Sequence, residues 1–420
     1  MIDAMEADND EFRKVEKMIR RMISVTKDRR GKSRKNSPGI RNTRQEALFN
    51  SADILDYKLL NTRIVECRPE ACRDSDFATP RIIQIEGVPN GFYIIVGALS
   101  ISKQLFLSKV ALEEYSQAGH TNLSNLDRLS DECVGLAVLS KTTAVEKLSE
   151  PPSSLSLISN STRDIWQNSV KDNDNFKRFR NLRWASLGYH YDWTKRMYQE
   201  NLKSAFPTYL VGLCEYLAGL VGEKMEAEAA IVNFYPIGTY MSGHIDDAEH
   251  AMDEPIVSIS LGCPAIFLIG GKNKNEKPTP ILIRSGDVIV MSKDSRYAYH
   301  GIPGVVSHNF HHDIEHHQCK RHGTISTFNE SCCDICHLIH CGNQGIECLE
   351  RINFVDDLLI TSSQAHCNEV KSSQLNENVK DTTILNPVLE YLKQGRININ
   401  VRRVAQPNAA WVDKCGSGAT

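Results

Sequence analysis

The spacing of apolar positions changes character several times along this 420-residue chain. Over 10–22, Phe12, Val15, Met18, Ile19 and Met22 recur at helical intervals, which predicts a short helix with one buried face. From about 23 to 80 the text turns polar and broken, so 1–80 is expected to be mostly disordered apart from that helix. Residues 81–95 mix apolar runs with Gly and Pro turn signals and read as the first sheet element. Ser102 sits where an N-cap belongs, and Leu105, Phe106, Val110, Leu112 and Tyr115 then follow a helical repeat toward Gly119. A Ser-, Thr- and Asn-rich stretch with Pro151-Pro152 fills 120–160 as a loop or insert. After Pro207, the stripe Leu210, Leu213, Cys214, Leu217 and Leu220 predicts a helix over about 208–221. Strand signals dominate from 228 onward, at 229–235, 255–261, 265–269, 280–284 and 288–291, with 272–277 as a hairpin loop. Many short strands without intervening helices predict an α+β protein whose core is a jelly roll, a double-stranded β-helix, with supporting helices and an N-terminal extension.

Composition narrows the setting. A formal charge of −3 supplies no net attraction for nucleic acid, so any such binding must come from local patches. One candidate is the basic cluster at 27–35, which reads equally as a nuclear-import or nucleic-acid patch and as a solvated tail. The apolar run at 92–101 is too short for a membrane span and is interrupted by Gly97, so no membrane partner is expected. The acidic opening residues argue against a secretory signal and against an ordinary mitochondrial presequence. Thirteen cysteines in an intracellular protein are expected to be thiols or ligands, not disulfides.

The candidate chemistry is concentrated in the run N-F-Y-P-I-G-T-Y-M-S-G-H-I-D, Asn233 to Asp246. On extended backbone, His244 and Asp246 point to the same side. A later His reaching the same ion would complete a two-His, one-carboxylate set with open positions, the ligand type of non-haem Fe(II) oxygen chemistry. His300, after the apolar strand signal at 288–291, is the natural third ligand. Near the C-terminus, Arg396, Asn398, Asn400 and Arg402 alternate with Ile397, Ile399 and Val401. One face of that strand would carry two guanidiniums and two amides. This suits a dicarboxylate, which arginine grips through a planar fork; a sheet with a basic solvent face has the same alternation.

Taken together, N-x-Y, H-x-D eleven residues after the Asn, a distant His and R-x-N-x-x-x-R resemble the AlkB-type Fe(II)/2-oxoglutarate dioxygenases. The flanking 182–193 and 260–271 segments and the text around Arg396 are similar to the AlkB homologue 1 branch. The resemblance covers about 180–304 and 385–407. It implies Fe(II) on His244, Asp246 and His300, with 2-oxoglutarate and O₂ as co-substrates. It further implies that Arg396 and Asn398 meet 2-oxoglutarate, that Asn233 and Tyr235 donate hydrogen bonds to it, and that Arg402 bridges it to Asp246. Asn400 stands where the family more often has Thr. The aromatic segment with Trp184, Tyr189, His190 and Tyr191 becomes a candidate substrate lid, since aromatics beside cations suit unstacked bases. The implied domains are an N-terminal extension and nucleotide-recognition lid at 81–205, a core at 206–304 and 385–407, and a tail at 408–420.

The implied reaction is oxidative removal of a methyl group from an N-methylated base as formaldehyde, with succinate as co-product. tRNA 1-methyladenosine is the first-choice substrate and DNA N6-methyladenine the second, presented flipped or single-stranded. The same iron site would serve an oxygenase acting on protein, such as a histone. A non-catalytic RNA- and zinc-binding module is a third reading. The resemblance permits nucleus, cytoplasm or mitochondrion. The zinc reading rests on the Cys/His-rich segment at 308–384, where Cys333 and Cys336 with His340 or Cys341 have ligand spacing. A second C-x-x-C at finger distance is missing, so that segment is read as a flexible insertion between two core strands.

Overall fold

The structure, a computed structural model, describes residues 10–31, 53–58, 63–67, 80–116, 121, 182–192, 195–308 and 382–405; the side chains of 25–31 and 382–387 are outside this description. Fourteen strands are named here in chain order: β1 Ile64–Cys67, β2 Arg81–Ile85, β3 Phe92–Val96, β4 Trp184–Gly188, β5 Tyr191–Asp192, β6 Met197–Tyr198 and β7 Ala229–Pro236 come first. Then follow β8 Met241–His244, β9 Ile256–Gly262, β10 Ala265–Ile269, β11 Thr279–Ile283, β12 Val288–Met291, β13 His300–Val305 and β14 Gly395–Arg402. Four helices accompany them, α1 Glu11–Gly31, α2 Ile101–Val110, α3 Thr208–Gly219 and α4 Thr382–Gln394. The large sheet runs β1-β2-β3-β12-β9-β14-β7-β4, the smaller one β11-β10-β13-β8, and β5 pairs with β6 in a separate hairpin.

Period-two alternation divides the strands between two cores. On β14, Ile397, Ile399 and Val401 pack with Leu105 and Leu107 of α2, Leu210 and Leu217 of α3, and Val388 and Leu392 of α4. Those helices therefore cover the outer face of the large sheet. Its inner face meets the small sheet through Ile83, Ile94, Ile256 and Ile289 against Phe267, Ile269, Ile281 and Ile283. This is the face-to-face packing of a jelly roll. The small sheet's outer face is sealed by α1, whose Phe12, Val15, Ile19 and Ile23 bury against Ile266, Leu268, Leu282 and Val306.

Several boundaries depart from the sequence reading. α1 extends well past the predicted 10–22, and Ile23 joins its buried face while Met22 stays half-buried. The expected unstructured linker of 23–80 is built into the fold at 54–57 and at β1. Ile54, Leu55 and Tyr57 are buried, and Asp56 makes a two-pronged pair with Arg284 at 2.9 and 2.6 Å. Three apolar residues in a polar context are too few for a periodic signal, and the partners of Asp56 and of the Tyr57 hydroxyl, Arg284 and Asp287, lie more than 200 residues away. Ser100, not Ser102, caps α2, with Lys103 N donating to its Oγ at 3.3 Å. His300 follows β12, as expected, and also opens a strand of its own that the sequence reading did not mark. Most of the 120–160 loop and of the 308–384 insertion, with Cys333, Cys336, His340 and Cys341, lies outside the described residues. Among the described residues no helix is long and apolar enough to cross a membrane.

Candidate active site at the mouth of the jelly roll

β8 and β13 are antiparallel neighbours at the edge of the small sheet, in a register that sets His244 directly opposite His300. Their rings lie 4.5 Å apart centroid to centroid. Asp246 follows β8 by two residues, and its carboxylate stands 3.8 Å from each imidazole Nε2. One ligand atom from each of the three residues falls within 4.8 Å of the others. His244 Nδ1 lies 2.9 Å from Ser242 O, and His300 Nδ1 lies 3.1 Å from Ala298 O. A carbonyl only accepts, so both Nδ1 atoms carry the proton and both Nε2 lone pairs face Asp246. Burial, helped by the neighbouring His244, lowers His300 to about 4, so it is a neutral ligand at physiological pH. Burial opposes ionisation of Asp246, yet the Arg402 guanidinium and the two imidazoles outweigh it and hold the carboxyl well below the usual range.

Behind Asp246 lies a charge network that the motif reading reached only through Arg402. Arg402 Nη2 is 3.2 Å from Asp246 Oδ2, and its Nη1 donates to Glu249 Oε1 at 2.7 Å. Glu249 also accepts from Arg296 Nη2 at 3.0 Å and from the Tyr198 hydroxyl at 3.1 Å, and Arg296 Nη1 donates to the backbone carbonyl of Asp246. All four side chains are buried. The desolvation of Glu249 is offset by Arg402 and Arg296, which keep it ionised. Glu249 sits five residues beyond His244 in a polar loop, where nothing in the local text separates it from a surface acid.

The alternation on β14 turns the polar set inward. Arg396 lies across from Tyr235 on β7 and Gly262 on β9, and Asn398 lies between Asn233 and Ser260. Arg396 is 1% exposed and donates from Nη2 to Ser260 Oγ at 2.8 Å. Its Nε and Nη1 are buried without a hydrogen-bond partner. Burial draws this guanidinium down to about 10, so it stays charged at neutral pH. Two unsatisfied charged donors in a closed interior fit a carboxylate ligand, because leaving them unmet is costly. Asp246 Oδ2 is buried with no hydrogen bond beyond its ion pair with Arg402, which leaves the carboxylate able to face a metal. The donor set and the orphaned atoms thus fit a ferrous ion beside a dicarboxylate. Asn398 is already committed, its Nδ2 donating to Ser258 Oγ and Ile259 O at 2.9 and 3.0 Å.

A cavity of about 570 Å³ opens over these residues, lined by His244, Asp246, Asn233, Asn400 and Arg402 and walled by Tyr191, Arg196 and Tyr198. Of the expected lid residues, Tyr191 lines the cavity and stacks edge-on against Tyr198 at 5.2 Å. Tyr189 is buried with its hydroxyl accepting from Lys203 Nζ at 3.0 Å, and His190 Nε2 lies 3.1 Å from Ser204 Oγ. Trp184 is half-buried on β4, opposite Asn233. Arg196, one of the cations that close the aromatic segment, also lines the cavity. It holds a left-handed backbone, φ 56°, at the tip of the β5–β6 hairpin.

Residues 136–402 match the 2OG-Fe(II) oxygenase superfamily. The chain is 32% identical over 323 residues to a DNA N(6)-methyladenine demethylase, ALKBH1A, of Arabidopsis thaliana, an alignment covering 74% of this chain and 88% of that protein. It is 40% identical over 130 residues to the tRNA demethylase abh1 of Schizosaccharomyces pombe, covering 30% of this chain and 42% of the relative. Over 154 residues it is 36% identical to the human nucleic acid dioxygenase ALKBH1, covering 34% of this chain and 40% of that one.

Proposed function

The chain belongs to the 2OG-Fe(II) oxygenase superfamily, in its AlkB homologue 1 branch, and from that premise we propose that it oxidatively demethylates N-methylated nucleic acid. The family uses Fe(II), 2-oxoglutarate and O₂. The observation that carries the reading is that one jelly roll holds both the His244–Asp246–His300 cluster, with His244 and Asp246 lining the cavity, and the buried, half-satisfied guanidinium of Arg396 on an inward strand face.

His244 and His300 would hold Fe(II) through Nε2 and Asp246 through a carboxylate oxygen. Arg396 would take the far carboxylate of 2-oxoglutarate on its free Nε and Nη1, with Tyr235 beside it on β7. Loaded with its co-substrates, the ferrous centre supplies hydroxylation of a C–H bond, and a hydroxylated N-methyl group leaves as formaldehyde. The remaining work belongs to the protein. Arg402 and Arg296 orient Asp246 from behind, at its side chain and at its backbone carbonyl, which fixes where the reaction takes place. Tyr191 and Arg196, at the cavity wall, offer an aromatic face and a cation to a base and its phosphate. The cavity cannot admit a base still stacked in a duplex, so the substrate nucleotide is flipped or single-stranded.

Among substrates we assign tRNA 1-methyladenosine first and DNA N6-methyladenine second; relatives carry names for both polymer classes. The test is nucleoside mass spectrometry of methylated tRNA and DNA after incubation with Fe(II), ascorbate and 2-oxoglutarate. Loss of a methylated adenine that depends on 2-oxoglutarate supports the reading. Hydroxylation or demethylation confined to methylated peptides would move the activity to protein.

A further inference from the structure

β8 is the edge strand of the small sheet, paired on one side only, by β13. An edge strand carrying a metal ligand is poorly suited to its task unless something holds its free side, because edges are where sheets fray and slip. Here the free side meets α1. The strand carries a glycine at 243, and a Cβ there would come within 2.4 Å of the Phe12 ring, so the ring lies directly on the strand backbone. Glu16, one turn beyond Phe12 on the same helix, is 4% exposed. Its Oε2 accepts from Gly243 N and its Oε1 from Ser242 Oγ, both at 3.3 Å. Arg20, one further turn along, donates to the same Oε1 at 3.0 Å and stacks over Tyr240. The carbonyl of Ser242 is the acceptor for His244 Nδ1.

We propose that Glu16 is a positioning residue for the metal centre: its buried carboxylate clamps the 242–243 backbone, and through the Ser242 carbonyl fixes the ring plane and tautomer of His244. A carboxylate inserted beneath an apolar helix face is costly unless it is hydrogen-bonded. Three groups, Ser242, Gly243 and the cation on Arg20, do that, and two of them are the residues immediately before a ligand. A helix serving only to cover the sheet would be better served by an apolar residue at 16. Partners one step out from a ligand set its orientation, and their loss characteristically weakens metal binding by about 10- to 100-fold.

This inference rests on the metal reading above, and the experiment separates the two. Full-length protein is titrated with Mn(II), without turnover, following bound metal by electron paramagnetic resonance. Wild type, Glu16→Gln, Glu16→Ala, Ser242→Ala and the Glu16→Ala/Ser242→Ala pair are compared, with Lys17→Ala on the exposed face of α1 as control. Circular dichroism and Tm are recorded for each. The expected result is a Kd raised by about tenfold in Glu16→Gln and more in Glu16→Ala. Lys17→Ala keeps the wild-type Kd, and the double variant falls short of the product of the two single effects, as two members of one contact chain should. Folded Glu16→Gln with the wild-type Kd overturns the proposal. Should Glu16→Ala not fold, the near-isosteric Glu16→Gln decides alone. Wild type that binds no Mn(II) would instead contradict the metal site itself.

Discussion

At the residue scale, the site is defined by side chains whose surroundings leave them one task. Arg396 is the clearest case. A guanidinium with two buried, unmet donors stays in a protein only if something else satisfies them, and charge-assisted hydrogen bonds to a carboxylate are each worth about 1.5–3 kcal/mol. Arg396→Ala is therefore expected to raise KM for 2-oxoglutarate by at least about tenfold with Mn(II) affinity of the triad little changed, measured by steady-state titration and metal binding. Unchanged KM would remove the co-substrate role. His244 with Asp246, and Arg396 with Arg402, were legible in the text because period two on extended backbone decides which side chains share a face, while His300 was reached through its place after the 288–291 strand and the family resemblance. Asn398 was legible as inward-facing, but its amide turns out to tie β14 to β9, so the substitution Asn398→Ala is expected to cost stability before affinity. Glu249 and Arg296 were not legible: one lies in a loop and the other in a single short helical turn, where no periodicity marks which polar residue folds inward.

At the scale of elements, the register of β8 on β13 brings two histidines 56 positions apart in sequence to opposite places in a ladder, and α1 closes that ladder from outside. Phe12 fills the space left by Gly243 and Gly270. Phe12→Ala should then destabilise the protein by about 3–5 kcal/mol through the cavity it leaves. Gly243→Ala should cost about 1–3 kcal/mol by forcing the ring aside. Urea titrations check both, and a Gly243→Ala variant as stable as wild type would mean that α1 does not sit flush on the strand. The strands at 229–236, 256–262, 265–269, 279–283 and 288–291 were readable almost to the residue, since apolar runs bounded by Gly, Pro and Asn mark them directly, whereas β8 and β13, short and rich in Gly, carry no such run. α1 was half readable. Its apolar face shows in the sequence, but its length and its place over the small sheet depend on partners at 266–306 that no local window contains.

At the scale of the whole molecule, the segment near residue 56 ties the N-terminal part of the chain to the jelly roll. Asp56 and Arg284 are both fully buried and joined by two hydrogen bonds. Burial acts against the charge of Asp56, but Arg284 outweighs it and lowers its pKa from 3.8. A folded-state value below the unfolded one means that the contribution is present above 3.8 and is lost as pH falls through the lowered value. Asp56→Asn, which breaks the pair, is expected to be about 3–5 kcal/mol less stable at neutral pH. The gap should narrow as pH falls below about 4, measured by denaturant titration at several pH values. A gap that widened on acidification would show that Asp56 is not held as a carboxylate. This long-range tie was invisible in the sequence, where 53–58 carries too little pattern to announce a buried ion pair. The most direct test of the account is the 2-oxoglutarate-dependent release of formaldehyde from tRNA bearing 1-methyladenosine, comparing wild type with His244→Ala. Wild type should release formaldehyde in step with the methyl groups lost, and the variant none; equal release by both proteins would contradict the account.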